Sequence, residues 1–339
     1  MNMAVYRTPI EAYKRIIQKM VVDHPVYDED TIMQVFSAVA KLCEGDLLNT
    51  NQIGDQEGVQ YNPKDHSVKV PESYHKVYQD ICQNGYASLA IDPEAGGSGA
   101  PWVVHHLVSE MLASGNLSLS TCPMLTNGAI EVLAKHASKE VQSSYLPQLV
   151  SGQYSGTMCL TEPQCGTDLG LIRTTAKPHD EDYYELSGQK IWITFGEHDL
   201  TENIIHLVLA KIPGGPEGTK GISLFAVPKF LPDGSQNGVS CGGLESKMGQ
   251  HGSPTAVMNF QSSKAWLVGA EHDGMKMMFD MMNPARIGVG IQALGVSELA
   301  FQEAQAFACT RAQSRSVNSQ WHDEQSSADL IISHMDVRR

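Results

Sequence analysis

A chain of 339 residues is long enough for two or three domains and a sizeable core. Its formal charge of −14 repels nucleic-acid phosphates and anionic membrane faces; an anionic ligand therefore needs local donors, since the basic residues are dispersed apart from the terminal Arg338-Arg339. Seven cysteines without a CxxC pair, histidines without ligand spacing and the lack of any apolar run near the roughly 18 residues of a membrane span predict a cytoplasmic protein with no metal, no export signal and no membrane insertion.

Apolar residues at helical spacing predict a helix over Ile10–Val22 and a second over Asp30–Leu48, with Asp30 or Thr31 as its cap. The stretch from Asn49 to Lys69 is polar and rich in Asn, Gln and Gly, which predicts a loop. Val103–Gly115 and Gly128–His136 continue the helical reading. From Tyr154 the texture changes to short alternating runs. Tyr184–Leu186, Ile204–Leu209, Ile222–Val227 and Ala256–Phe260 read as strands between turns such as Pro213-Gly214-Gly215-Pro216 and Pro232-Asp233-Gly234. After Gly274 the helical period returns and persists to about Arg315, with Pro284 either kinking that helix or marking its first turn. A further helix begins near Asp329–Arg339. The chain is thus α+β: an N-terminal helical domain over 1–153, a β domain over 154–270 and a further helical region over 271–339.

Two segments carry chemistry. The first is Leu160-Thr161-Glu162-Pro163-Gln164-Cys165-Gly166-Thr167-Asp168, in which Glu162-Pro163 stiffens a strand exit and Gly166 admits a close backbone approach that a Cβ would block. The second is Lys190-Ile191-Trp192-Ile193-Thr194. At this spacing, in a β context flanked by helices, the pair resembles the flavin-cradling segments of the acyl-CoA dehydrogenase family, and the resemblance covers nearly all of the chain from residue 70 onward. Weaker support comes from Gly85-Tyr86 through Gly99, from His136 through Ser151-Gly152, and from Glu245-Ser246-Lys247-Met248-Gly249 with Gly252-Ser253-Pro254-Thr255.

The resemblance implies that the β domain is barrel-like and that 271–339 is the start of an incomplete C-terminal helical bundle; it also implies FAD as cofactor, an acyl-CoA thioester as substrate, an electron-transferring flavoprotein as redox partner and a homo-oligomer. It places Met158 and Gly166 along the isoalloxazine ring, Leu160 and Thr161 at its pyrimidine edge, and Thr167 at the flavin phosphates or coenzyme A. Trp192 would lie over the ring with Ile193 beside it, and the Thr194 hydroxyl would sit near flavin N5. On the long helix, Arg286 matches an arginine near the thioester, and Asn283 a position facing coenzyme A. Arg311 and Gln313 match an RxQ element that reaches the flavin pyrophosphate of a neighbouring subunit, where a forked guanidinium suits two phosphate oxygens.

Family chemistry removes an α-proton with a glutamate while the β-hydrogen leaves as hydride, the thioester oxygen being stabilised by hydrogen bonds. By resemblance that glutamate lies late in the C-terminal bundle, beyond Arg339, or in a minority immediately before the arginine matched by Arg286, where this chain has Ala285. No catalytic residue is assigned, and the expectation is a shortened form with little turnover alone. The long N-terminal segment and the loop from Leu231 to Cys241 resemble larger bacterial members, some of which act on methylthiopropanoyl-CoA. The other readings are a catalytically dead flavin-binding or nucleic-acid-associated paralogue, the latter disfavoured by the charge, or a structural remnant.

Met275, Met277, Met278, Met281 and Met282 read as gap-filling core or as a pliable wall for an acyl chain. Gly288-Val289-Gly290 with Gly295 has the glycines of a dinucleotide fingerprint but no preceding strand, so that reading is rejected. Ile287, Ile291, Leu294, Leu299 and Phe307, with small Gly288, Gly295 and Ala300, predict a helix that packs on more than one side and drives self-association.

Overall fold

In the computed structural model, which describes residues 6–21, 24–179 and 182–338, α1 (Ile10–Met20) and α2 (Glu29–Leu42) bury Tyr13, Ile17, Ile32 and Phe36 against the N-terminal core. The cap of α2 is Asp28, two residues before Asp30 and three before Thr31, the caps expected. Its carboxylate accepts a 2.8 Å hydrogen bond from the Thr31 N–H, and Asp30 falls inside the first turn, where a negative charge suits the positive end of the helix. Val22, the expected end of the first helix, and Arg339 lie outside the described residues.

The loop expected over 49–69 is instead a helix and a hairpin. The chain leaves α2 through a wide turn at Cys43–Leu47, where Gly45 departs from helical dihedrals, and enters α3 (Leu48–Glu57). β1 (Gln60–Asn62) then pairs antiparallel with β2 (Ser67–Lys69). Polar composition hides α3 because specific contacts, rather than an apolar stripe, hold it in place. At Gly54 a Cβ would collide with the Tyr74 phenol of α4 (Ser73–Gln83), and the Thr50 hydroxyl accepts from Asn116 Nδ2 at 2.8 Å while donating to the Leu47 carbonyl.

α5 (Trp102–His136) joins the two helical segments read separately. It breaks only at Asn116 (φ −159°, ψ 98°), whose side-chain oxygen accepts from the Leu119 N–H and so caps the second half. α6 (Lys139–Val150) follows, capped by Ser138.

The β domain comprises β3 (Tyr154–Cys159), β4 (Thr175–Pro178), β5 (Tyr184–Thr194), β6 (Asn203–Lys211), β7 (Ile222–Pro228), β8 (Val239–Leu244) and β9 (Thr255–Val268). The order β6-β4-β5-β9-β7 closes on itself through a β6–β7 pairing, with β3 parallel beside β6 and β8 beside β9. Closure leaves β3 and β8, among the described strands of this sheet, paired on one side only. The expected strands all exist, but β5 and β9 are much longer than their alternating cores, because bulges at Leu186/Gly188 and Lys190/Ile193 interrupt the period that marks a strand in sequence.

α7 (Gly274–Ala308) runs through Pro284 without a break and ends short of Arg315. It packs along α5, where Gly295 is obligatory: a Cβ there would stand 2.7 Å from the Glu110 carbonyl oxygen and 3.0 Å from Ala113 Cβ. Gly288 and Gly290 lie inside this helix. Met277, Met278 and Met281 are buried in the core and Met275 and Met282 pack against it. Beyond α7 the chain bridges back on itself, and in place of the expected helix near 329–339 there is a single turn, α8 (Met335–Arg338).

Candidate active site

The segment after β3 is fixed by a buried ion pair. Glu162 and Cys165 exchange backbone hydrogen bonds of 2.9 and 3.0 Å in a tight turn that leaves Pro163 and Gln164 exposed. The Glu162 carboxylate, 3 % accessible, accepts from Lys190 Nζ (2.8 Å), Thr174 Oγ1 (2.6 Å) and the backbone N–H groups of Arg173 (2.7 Å) and Thr174 (3.1 Å). Burial alone would raise its pKa, but Lys190 and these donors hold it down at about 2. Lys190, itself inaccessible, also donates to the Leu160 carbonyl at 2.9 Å. Burial lowers its pKa against the opposing pull of Glu162. The Ile191 N–H donates to the Thr161 carbonyl at 2.9 Å, so the two chemistry-bearing segments lie side by side.

The second segment then bulges. Between Lys190 and Ile193 the register with β9 shifts, and Trp192 (φ 63°) and Phe195 (φ 51°) adopt left-handed backbone, a conformation that costs non-glycine residues on the order of 1–3 kcal/mol and clusters at functional sites. Ile193 is buried in the sheet core and Trp192 is 53 % exposed. Thr194 turns into a cavity of about 440 Å³ between the β domain and the helices.

That cavity is lined by Met158 and Thr194, by Lys247, Ser253 and Thr255 from the β domain, by Thr121, Met124 and Leu125 of α5, and by Ala285, Val289 and Gln292 of α7. A smaller space of about 70 Å³ between α5 and α7 shares Met124, Leu125, Ala285 and Gln292 with it and adds Tyr86, Trp102, His105, His106, Glu131 and Met281. Met281 and Met124 thus serve as cavity wall as well as packing.

Met158 and Thr194 converge on the larger cavity; Leu160 and Thr161 are half-buried beside it, and Gly166 and Thr167 are exposed past the turn. The remaining residues singled out in the sequence lie elsewhere. Asn283 and Arg286 are exposed on α7, hydrogen-bonded to each other at 3.0 Å, with the Arg286 guanidinium 5.4 Å from the centroid of the Phe279 ring. Arg311 and Gln313 are exposed past the end of α7, in the stretch whose backbone bonds to Ile331 and Asp329. Neither lines this cavity. Sequence reading missed Thr121, Met124 and Gln292, which no motif marks, and took the segments that hold Lys247, Ser253 and Thr255 only as weaker support for the resemblance. Lys247 Nζ donates to the Ser253 carbonyl at 2.8 Å, and burial lowers its pKa.

Residues 57–153 match the model of the acyl-CoA dehydrogenase N-terminal domain and residues 157–263 that of the acyl-CoA dehydrogenase middle domain. The chain belongs to the acyl-CoA dehydrogenase family. It is 44 % identical over 304 residues to 3-methylmercaptopropionyl-CoA dehydrogenase of Ruegeria pomeroyi, covering 88 % of this chain and 51 % of the relative. Among solved structures it resembles butyryl-CoA dehydrogenase from Megasphaera elsdenii, with a TM-score of 0.74 and 25 % identity over 94 % of this chain and 75 % of that one. It also resembles a chain from the structural study of the electron transferring flavoprotein of Acidaminococcus fermentans, at a TM-score of 0.70 and 26 % identity over 86 % and 71 % of the two chains. The chain spans about half the length of the curated relatives it matches.

Proposed function

We propose that this chain binds FAD against β3 and β5 and forms the flavin- and thioester-binding part of an enzyme that dehydrogenates an acyl-CoA across its α,β bond, with an electron-transferring flavoprotein as acceptor. The observation that carries this reading is the convergence of Met158, on the strand that leads into the first motif, and Thr194 of the second on a single cavity walled by α5 and α7.

Three features suit a planar ring. Trp192 holds a left-handed backbone while its indole is half exposed. The Thr194 hydroxyl has no hydrogen-bond partner among the described residues and is free to donate. Gly166 has only ordinary contacts: a Cβ there would meet nothing nearer than Thr161 Cγ2 at 3.7 Å, so the protein's own packing does not demand glycine and a ligand backing onto the main chain explains it.

Bound FAD supplies the acceptor for the hydride that leaves the β-carbon. The chain's own part is to hold the main chain of Leu160 and Thr161 beside the ring edge through the Glu162–Lys190 pair, to present Thr194 and to exclude water with the α5 and α7 walls. Ile193, with its side chain in the core, contributes through its backbone. We assign Thr167 to the cofactor phosphates or coenzyme A, Asn283 and Arg286 to coenzyme A, and Arg311 and Gln313 to the cofactor of a second subunit. Titration with FAD should give a flavin absorbance band that co-elutes with the protein. Trp192→Ala should weaken binding by about 3- to 10-fold, the worth of one aromatic contact, and Thr194→Val should leave the protein folded but slow flavin reduction. Protein that stays colourless through the titration contradicts the reading.

We infer a homo-oligomer from α7, on which Ile287, Leu294, Phe301 and Phe307 are each more than half exposed. Sedimentation at micromolar concentration should give a dimer or larger species, shifted toward monomer by Phe301→Glu. A monodisperse monomer that binds no dye for apolar surface rules this out. The seven cysteines, none in a disulfide and six of them buried, suit a reducing compartment, which we take to be the cytoplasm. Among the described residues no helix is long and apolar enough to cross a membrane.

A further inference from the structure

The small space between α5 and α7 has two ends. At one it shares Met124, Leu125, Ala285 and Gln292 with the cavity that holds Thr194; at the other it shares Trp102 and Glu131 with an open cavity of about 760 Å³. Among the described residues none lines both of the larger cavities, so the small space is what joins them. The fold explains its second end. In a straight helix Trp102 and Glu131 would stand roughly 40 Å apart, at about 1.5 Å per residue. Both line the same two cavities, so the break at Asn116 folds the halves of α5 toward each other and closes the space between them.

Trp102 is held at that end. It is the first residue of α5, and Pro101 before it fixes the backbone that enters the helix (φ −54°). Its ring stands edge to face with His105, centroids 5.5 Å apart, and 5.7 Å from His106. It is nonetheless 45 % exposed, with the outer cavity beside it. On the near side the walls are apolar, with Leu112, Pro123, Met281 and Pro284 among them. On the far side the outer cavity again offers apolar surface, from Ile91, Ala100, Ile130, Ala134 and Leu146.

We infer that Trp102 sets the length of acyl chain this protein accepts: its indole ends the small space and shuts off the outer cavity, which continues the same channel. An alkyl chain entering from the Thr194 side passes Met124 and Ala285 and buries each methylene against apolar walls, which tightens binding by about 4-fold per carbon. Once it meets the indole that gain stops, because further carbons must buckle or push the ring off its histidine neighbours. The inference rests on the acyl-CoA reading above and names its specificity determinant.

The test is calorimetric titration of the 339-residue chain with butanoyl-, hexanoyl-, octanoyl-, decanoyl- and dodecanoyl-CoA, read as the ratio of affinities between successive esters, so that a uniform loss of affinity does not count. In the native chain the affinity should rise by about 4-fold per methylene and then break off within the series. Trp102→Ala should carry the rise on to longer esters, since the outer cavity then receives the chain. Trp102→Phe, which keeps a ring beside His105, should move the break less and in the same direction, and it serves as the test if the alanine variant does not fold. A native rise unbroken through dodecanoyl-CoA, or a break that stays at the same ester in the folded variant, overturns the assignment of Trp102 alone. Binding of no ester overturns it together with the acyl-CoA reading.

Discussion

Lys190→Met should cost this protein about 3–5 kcal/mol, because it leaves the Glu162 carboxylate buried without its counter-charge. The loss should be largely recovered by adding Glu162→Gln, which removes the stranded charge. The pH dependence separates this mechanism from simple loss of packing. In the native chain the Glu162 pKa of about 2 lies below its ordinary 4.5, so its ionised form contributes stability that is fully present above 4.5 and is lost as pH falls toward 2. Without Lys190, burial dominates and the folded pKa rises above the unfolded one, so the same carboxylate stabilises the fold on protonation and the variant gains stability relative to the native chain as pH falls. Urea midpoints measured across that window should converge at low pH. Parallel curves, or a midpoint unchanged at neutral pH, would sink the argument. Since Lys190 also donates to the Leu160 carbonyl, the variant should lose FAD uptake before it loses its sheet.

The parts of the molecule legible in the sequence are those whose cause is local. The two motifs, the central strands and the long helices follow from alternation, helical period and turn chemistry, and the motif pair pointed correctly to the family. What was hidden depends on contacts far apart in sequence. α3 looked like a loop because its support is the Tyr74 ring against Gly54 and the Asn116–Thr50 bond, neither of which leaves a period. Lys190 was legible as part of a motif, yet its bond to Glu162, made across the sheet, was not. The faces of α7 were equally opaque. Successive helical residues differ in direction by about 100°, so the close approach to α5 at Gly295 determines which residues point inward: Ala285 lines the cavity while Arg286 and Asn283 are exposed on the helix surface.

That orientation of Ala285 makes Ala285→Glu the substitution with the largest expected catalytic effect. Ala285 lines both the larger cavity with Thr194 and the smaller space between α5 and α7, and the proposed function puts the thioester there. Among the described residues the larger cavity is lined by hydroxyls, amides, apolar groups and Lys247, with no carboxylate to accept an α-proton. Loaded with FAD, the 339-residue polypeptide should therefore reduce dye slowly with butanoyl-, octanoyl- or methylthiopropanoyl-CoA. A glutamate at 285 sits well in a helix and brings a carboxylate into the cavity, so turnover should rise by about 10²–10⁴-fold, the usual worth of a positioned general base. Ala285→Gln matches its size without the basicity and should give no such rise. Rapid turnover by the unsubstituted chain, or an equal gain from Ala285→Gln, would refute the assignment. In the first case a base already faces the substrate, and Glu131, among the described residues the one carboxylate lining the adjoining space, is the residue to replace next.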